Sequence, residues 1–216
     1  MPKRALVEKR PWLLASLAAA FAWYGLRTGQ FPEPYLIALK GAGVALLAVY
    51  ALLRHQGADS RMIAAVMAIS AMGDMAMELS TGIGGALFFA AHLVAIALYW
   101  RHRRESLTSS QRLAAAALLL LTPAIAGSLV HDPAVFAYAL ALGGMACAAW
   151  SSNFPRYRVG VGAVLFVASD LLIFARMGPL AASPLPDLLI WPLYYFGQFL
   201  IATGVVGELR SRQSAA

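Results

Sequence analysis

Residues 61–79, R-M-I-A-A-V-M-A-I-S-A-M-G-D-M-A-M-E-L, form an apolar run that is long enough to cross a bilayer as one helix. Two carboxylates, Asp74 and Glu78, lie four residues apart in this run, about one helical turn from each other. A charge at the centre of a bilayer costs about 2.5–3.5 kcal/mol even on the lower scales. A function or a partner must therefore offset the cost of these two acids.

The composition of the whole chain is that of an integral membrane protein. The chain has 216 residues, of which 61% are hydrophobic and 12% are charged, whereas soluble domains carry about 25% charged residues. The single cysteine, Cys147, excludes an intrachain disulfide. Because the spacing of Cys and His does not match a zinc site, we expect no metal and no cofactor.

Apolar stretches separated by turn-forming residues predict an all-α, polytopic membrane protein with eight transmembrane helices. The predicted helices cover residues 11–27, 34–53, 61–79, 83–100, 112–130, 134–150, 158–176 and 187–209. The first follows a basic stretch and resembles a signal peptide, but we interpret it as a retained helix because the predicted topology is then consistent. We treat residues 1–216 as a single integral membrane domain.

The lysines and arginines fall almost entirely on one side of these predicted helices. Only Arg27 and Arg176 fall on the other side, and only Lys40 lies within a predicted span. The positive-inside rule therefore predicts that both termini are cytoplasmic, and we expect the chain in the bacterial inner (plasma) membrane. The same distribution explains the net charge of +7 without a nucleic-acid partner.

Similar polar motifs in two pairs of predicted helices suggest an internal repeat. S-A-M-G-D in helix 3 matches F-V-A-S-D in helix 7, and F-F-A-A-H-L in helix 4 matches Y-Y-F-G-Q-F-L in helix 8. Since the paired helices run in the same predicted direction, the halves 11–100 and 112–209 would be parallel repeats related by an axis along the membrane normal. The motifs are short, and alanine-rich helices resemble one another, so an accidental match is an equal alternative.

Polar side chains from five predicted helices reach a similar depth, from the outer half of the membrane to its midplane. These residues are Lys40, Asp74, Glu78, His92, Asp170, Tyr194, Tyr195 and Gln198. Because intramembrane ionisable residues usually face a bundle interior or a wet cavity, we expect one polar pocket that opens toward the outer side.

Several of these residues also have a purely structural interpretation. Lys40 is compatible with an ion pair to a carboxylate of helix 3, and Glu78 with a solvated position at the rim. His92 and Gln198 are compatible with packing and with hydrogen bonds between helices. Asp170 is the hardest to explain structurally, because no basic residue lies near it in its own helix.

Four motifs follow one another in a fixed order along the chain. They are G-D in helix 3, F-x-x-A-H-L in helix 4, G-A-V-L-F-V-A-S-D in helix 7 and Y-Y-F-G-Q-F-L-I in helix 8. Together with the intramembrane Lys40, this ordered set resembles the YhhN family of lysoplasmalogenases over nearly the whole chain. One departure is that Gly41 follows Lys40 where the family commonly has proline, and both residues loosen a helix.

This resemblance implies a membrane hydrolase that cleaves the vinyl ether bond of lysoplasmalogens. The products would be a fatty aldehyde and glycerophosphoethanolamine or glycerophosphocholine. The resemblance implies that Asp74 and Asp170 are catalytic, and the expected substrate-binding residues around them are Lys40, Glu78, His92, Tyr194, Tyr195 and Gln198. The expected partners are the lysophospholipid substrate and bilayer lipids, and the oligomeric state is open.

The chemistry of vinyl ether hydrolysis suits two carboxylic acids. Protonation of the alkene carbon creates an oxocarbenium ion, which water captures as a hemiacetal that collapses to the aldehyde. One carboxyl must keep its proton, and a second must be an anion that stabilises positive charge and activates water, as in glycosidases. We favour Asp170 as the acid because its helical neighbours are apolar, and Asp74 as the base.

A proton-coupled transporter is the main alternative, because transporters also combine intramembrane carboxylates, repeats and a midplane pocket. A transporter predicts polar residues on both sides of the midplane, whereas the carboxylates of this chain lie in the predicted outer half. A structural membrane subunit is a further alternative, which would tolerate loss of either aspartate apart from lowered stability.

Overall fold

The structure, a computed structural model, describes residues 10–215 of the chain. Residues 10–215 are 84% helical and contain no strand, which confirms the predicted all-α class. The helices in chain order are α1 Arg10–Leu26, α2 Glu33–Arg54, α3 Ala58–Leu79, α4 Thr81–Arg101, α5 Ser109–Leu129, α6 Pro133–Ser151, α7 Val161–Arg176 and α8 Leu185–Ala215. A π-helical turn, Arg156–Gly160, leads directly into α7.

Among residues 10–215, seven helices are long and apolar enough to cross a membrane, which supports an integral membrane protein. They are α2 to α6, α7 taken together with the π-helical turn before it, and α8. Helix α1 has 17 described residues and falls short of that length, so a spanning role for the predicted first helix stays a prediction. Most of the basic stretch before it, including Lys3 and Arg4, lies outside the described residues. The cytoplasmic position of the termini and the identity of the membrane also stay predictions.

Two of the differences between the predicted and the observed helix bounds have a clear physical reason. The predicted helix 7 begins at residue 158, but the regular helix begins only at Val161, because the chain leaves Pro155 in a π-turn. The predicted helix 8 ends at residue 209, but α8 continues through the polar segment that follows. A salt bridge of 2.9 Å between Arg212 and Glu208, one turn apart, supports this extension.

Contacts within the chain group the helices into two compact units, whose boundaries fall inside α4 and α8. The first unit contains described residues 10–91 and 206–215, and the second contains residues 92–205. This division tests neither the predicted single membrane domain nor the predicted repeat of halves 11–100 and 112–209. Both stay predictions.

Within the first unit, α2 packs between α1 and α3 through small residues. The hydroxyl of Ser16 on α1 donates a hydrogen bond of 2.5 Å to the carbonyl of Gly43 on α2. A Cβ at Gly41 would lie only 2.6 Å from Cγ of Met75 and 3.2 Å from the carbonyl oxygen of Ala71, both on α3. The glycine that follows the intramembrane lysine is therefore needed for the close approach of α2 and α3, whatever it contributes to loosening the helix.

Within the second unit, α5, α6 and α7 pack against one another. A Cβ at Gly143 of α6 would lie 2.7 Å from the carbonyl oxygen of Leu118 on α5, one turn before Pro123. The hydroxyl of Thr122 also donates a bond of 2.7 Å to the Leu118 carbonyl. The carbonyl of Leu118 is therefore hydrogen-bonded within α5, and the backbone of this segment contacts Gly143 of α6.

A close and mutual approach of two backbones joins the motifs of α7 and α8. A Cβ at Gly162 would lie 2.7 Å from the carbonyl oxygen of Gly197, and a Cβ at Gly197 would lie 2.8 Å from that of Gly162. Farther along α7, the buried hydroxyl of Ser169 donates a bond of 2.9 Å to the carbonyl of Ile190 on α8. The glycine of each motif and the serine before Asp170 thus hold these two helices together.

We expect Gly162→Ala to lower the melting temperature of the purified protein by several degrees. The added methyl group would meet backbone atoms, and overpacking of this kind typically costs about 1–3 kcal/mol. The matched control is Gly207→Ala, since no atom lies within 4 Å of a Cβ at Gly207. Equal melting temperatures for the two variants would contradict the close-contact assignment.

Candidate functional site

Asp170 lies inside α7 with only 4% of its surface exposed. Its Oδ2 accepts a hydrogen bond of 2.6 Å from the hydroxyl of Tyr138 on α6. Among residues 10–215 no cation forms an ion pair with this carboxyl. The membrane-embedded acid is therefore held by a neutral donor, in contrast to the salt bridges that usually accompany buried carboxylates.

Tyr138 connects this acid to His92 of α4. Nε2 of His92 lies 3.3 Å from the Tyr138 hydroxyl, and the two rings contact edge to face with centroids 5.5 Å apart. Since the hydroxyl donates its proton to Asp170, its oxygen is left to accept from His92. This arrangement assigns a proton to Nε2 and gives a chain of hydrogen bonds that runs from His92 through Tyr138 to Asp170.

An aromatic cluster surrounds this chain of hydrogen bonds. The ring of Phe166 packs edge to face against both His92 and Tyr194, with centroid distances of 5.1 Å in each contact. The side-chain amide of Gln198 lies 3.5 Å from the hydroxyl of Tyr194, one turn away on α8. All four side chains are buried, so water reaches this part of the second unit poorly.

The aromatic contacts continue along α8 to Tyr195. The indole of Trp191 lies 5.6 Å from the ring of Tyr194 and stacks on that of Tyr195 at 6.0 Å. One connected cluster in the second unit therefore contains five of the predicted site residues, which are His92, Asp170, Tyr194, Tyr195 and Gln198.

In the first unit, Lys40 of α2 forms a salt bridge with Glu78 of α3, with 2.5 Å between Nζ and Oε1. Nζ of Lys40 also lies 5.0 Å from the centre of the Trp23 ring. The side chain of Glu78 is 37% exposed and that of Lys40 only 15%. The structural interpretation of Lys40, an ion pair with a carboxylate of helix 3, is therefore met by Glu78, which forms the more accessible end of the pair.

Asp74 is buried in α3, one turn before Glu78. The preceding Gly73 allows a close contact with α4, because a Cβ there would lie 3.0 Å from the ring of Phe88. Asp74 belongs to the first unit and Asp170 to the second. Their pairing, and the single pocket predicted from all eight residues, therefore stay predictions.

Tyr138 is the residue of this cluster that sequence reasoning missed. It is the polar side chain of the first two turns of α6, where a tyrosine resembles an interfacial belt residue. Its contact with Asp170 crosses 32 positions of the chain, and no local pattern marks it. One feature of the sequence could have identified it. Its distance from the start of α6 predicts a depth in the membrane similar to that of the other predicted site residues.

Residues 10–215 contain no group of three or more His, Cys, Asp or Glu side chains that could hold a metal ion. The groups that the candidate site offers for chemistry are the carboxyl, hydroxyl, imidazole and ammonium groups described above.

The comparison with protein families agrees with the order of the motifs. The model of the YhhN family matches residues 35–205, a range that includes all eight predicted site residues. The searches of curated proteins and of solved structures give no match. Because the family match covers most of the chain, the chain belongs to the YhhN family.

Proposed function

We propose that the chain is a membrane hydrolase of the lysoplasmalogenase type, which cleaves a lysoplasmalogen to a fatty aldehyde and a glycerophospho-base. Membership of the YhhN family supports this class of function. The observation that carries the proposal is the carboxyl of Asp170, which is buried in a candidate spanning helix and oriented by Tyr138.

Asp170 is the proposed acid that protonates the alkene carbon. Its Oδ2 is occupied by the Tyr138 hydroxyl, which leaves Oδ1 to carry the proton that is transferred. No cation among the described residues holds the group as a carboxylate, so it is available as a proton donor. Its poor contact with water also favours transfer to carbon over exchange with solvent.

The carboxylate left by this transfer stabilises the oxocarbenium ion. It is reprotonated after water has attacked the cationic carbon and formed the hemiacetal. The Tyr138 hydroxyl stabilises the negative charge on Asp170 during this interval, and His92 polarises the hydroxyl. Collapse of the hemiacetal releases the aldehyde and returns a hydroxyl group to the glycerol, so that one water is consumed.

The resemblance to the family suggests Asp74 as the second catalytic carboxylate, and we propose that it is the base. A second carboxylate would activate the attacking water and leave Asp170 free to be reprotonated. Asp74 is buried, which is compatible with a base that acts in a water-poor site.

The salt bridge between Lys40 and Glu78 is the proposed site for a zwitterionic head group. A phosphate would replace Glu78 beside the Lys40 ammonium, and the ammonium of an ethanolamine or choline would replace Lys40 beside Glu78. The exposed carboxylate of Glu78 makes this exchange accessible from the rim. The aromatic ring of Trp23 adds a surface that attracts cations.

A proton-coupled transporter is the second candidate function, because one observation favours it. The hydrogen bonds from His92 through Tyr138 to Asp170 join three titratable groups inside the membrane-type helices, which is typical of a proton relay. A transporter would move protons with a solute across vesicle membranes and would release no aldehyde from a vinyl ether lipid.

We expect Asp170→Asn to reduce aldehyde release from lysoplasmenylethanolamine by at least about a hundredfold, because general acid catalysis usually contributes that much. The purified protein in detergent micelles is assayed for aldehyde, and Asp74→Asn is measured in parallel. The matched control is Asp187→Asn, whose carboxylate pairs with Arg176 at an exposed position. Full activity in Asp170→Asn would refute the proposed mechanism.

We expect Tyr138→Phe to lower kcat about tenfold or more with little change in KM, because the ring stays and only the donor to Asp170 is lost. Loss of this donor should also move the alkaline limb of the pH–rate profile to higher pH, which a merely structural effect would not do. Tyr157→Phe is the control, since Tyr157 is 87% exposed. An unchanged pH profile and kcat would exclude the positioning role of Tyr138.

A further inference from the structure

Two arginines outside the candidate site, Arg104 and Arg156, lie where α4 and α6 end and α7 begins. The α4–α5 and α6–α7 loops are joined by backbone hydrogen bonds, one of 3.0 Å from Arg104 N to the carbonyl of Ser151 and one of 2.7 Å from Asn153 N to that of His102. These bonds fix the two loops against each other within the second unit. The backbone that carries the two arginine side chains is therefore held in place by these hydrogen bonds.

Both guanidinium groups bind carbonyl oxygens. Nε of Arg104 donates a bond of 2.7 Å to the carbonyl of Ser152, and its Nη2 donates to that of Phe154. Nε of Arg156 donates to the carbonyl of Trp150, and its Cζ lies 5.6 Å from the centre of the Trp150 ring. Neither arginine has a carboxylate partner among residues 10–215.

The two positive charges repel each other in this arrangement. Burial, and then the charge of Arg156, lower the pKa of Arg104 below its ordinary value. Like charges held together without a counter-charge destabilise a folded protein, and an anion placed between them removes that cost. The cluster is therefore preorganised for an anion.

Two hydrogen-bond donors at the same place have no acceptor. Nη2 of Arg156 and Nε1 of Trp150 are both buried and without a partner among the described residues. Buried donors are nearly always paired with protein or solvent atoms. Because the two side chains contact each other, one group with several oxygens, such as a phosphate, can accept from both donors.

Trp150 also lines an apolar groove with a volume of about 310 Å³. The other lining residues come from α5 and α7 and are Ala114, Ala117, Leu118, Leu121, Thr122, Ile125, Val164, Val167 and Leu171. The hydroxyl of Thr122 is bonded to the carbonyl of Leu118, so it adds no polar group to the groove. The groove suits a hydrocarbon chain, and its end at Trp150 adjoins the guanidinium of Arg156.

We propose that the second unit binds one anionic phospholipid, whose phosphate contacts Arg104 and Arg156 and whose acyl chain occupies the groove between α5 and α7. Two large exposed aromatic side chains, Trp100 and Tyr157, lie in the chain segments next to these arginines. Exposed aromatic residues at helix ends are typical of the membrane–water interface, where a lipid phosphate lies. Basic sites between spanning helices at this level commonly bind anionic head groups.

This lipid is distinct from the substrate of the proposed reaction. The vinyl ether bond of a lysoplasmalogen lies only a few bonds from its phosphate. Arg156 and Asp170, in contrast, are separated by about four helical turns, which is roughly 20 Å along α7 and the turn before it. A phosphate at Arg156 therefore cannot place its own vinyl ether beside Asp170, and the site is assigned to a bound, unreacted lipid.

Native mass spectrometry of the full chain in detergent tests the proposal with phosphatidylglycerol and with phosphatidylcholine of the same acyl chains. We expect phosphatidylglycerol to bind at least about tenfold more tightly, and the double variant Arg104→Gln/Arg156→Gln to lose this preference. The matched control is Arg158→Gln, which removes an exposed arginine from the same π-turn and should keep the preference. Equal binding of the two lipids, or equal affinity of the double variant and the control, would overturn the proposal.

A second pair of variants tests the groove without changing any charge. Ala117→Phe should fill the groove and weaken phosphatidylglycerol binding several-fold, whereas Ala116→Phe, at an exposed position of α5, should not. Unchanged binding in Ala117→Phe would overturn the assignment of the acyl chain. Inorganic phosphate should not displace the lipid at millimolar concentration, and displacement would identify a simple anion site. None of these measurements depends on hydrolase activity.

Discussion

Close contact between helix backbones governs how these helices assemble. Lipid tails are as apolar as leucine, so helices in a bilayer gain little from burying hydrophobic side chains and associate through packing instead. Gly41, Gly143 and the pair of Gly162 and Gly197 each bring a backbone to a distance that a Cβ would prevent. The same contacts position the residues of the candidate site. Lys40, which precedes Gly41, forms its salt bridge with Glu78, and the helix that contains Gly162 also contains Asp170.

The sequence predicted the helices well because apolar runs and turn residues are local signals. It also singled out Lys40, Asp74 and Asp170, because charges are conspicuous in an apolar chain, and the structure contains all three within helices. It missed Tyr138, whose significance lies in a contact with another helix that no spacing reveals. It also missed the π-turn before α7, since proline predicts a helix start but does not specify the hydrogen-bond pattern of the first turn.

The two units treat their polar groups in opposite ways. In the first, Lys40 and Glu78 neutralise each other near the rim, where solvent helps to support an ion pair. In the second, Asp170 accepts a hydrogen bond from a neutral phenol in an aromatic setting, and no cation of residues 10–215 pairs with it. An accessible ion pair suits the recognition of a zwitterionic group, and an acid held by a neutral donor suits proton transfer.

The π-turn at Arg156–Gly160 also sets the rotational register of α7. Each residue added to or removed from a helix rotates everything after it by about 100°. Phe154 is fully buried before the turn, and Gly162 is in contact with Gly197 directly after it. The five residues of the π-turn span these two anchors and leave Asp170 opposite Tyr138. If the chain were one residue shorter at this point, either the Gly162–Gly197 contact or the hydrogen bond between Tyr138 and Asp170 would be lost. The length of this turn is therefore tied to the orientation of a buried carboxyl.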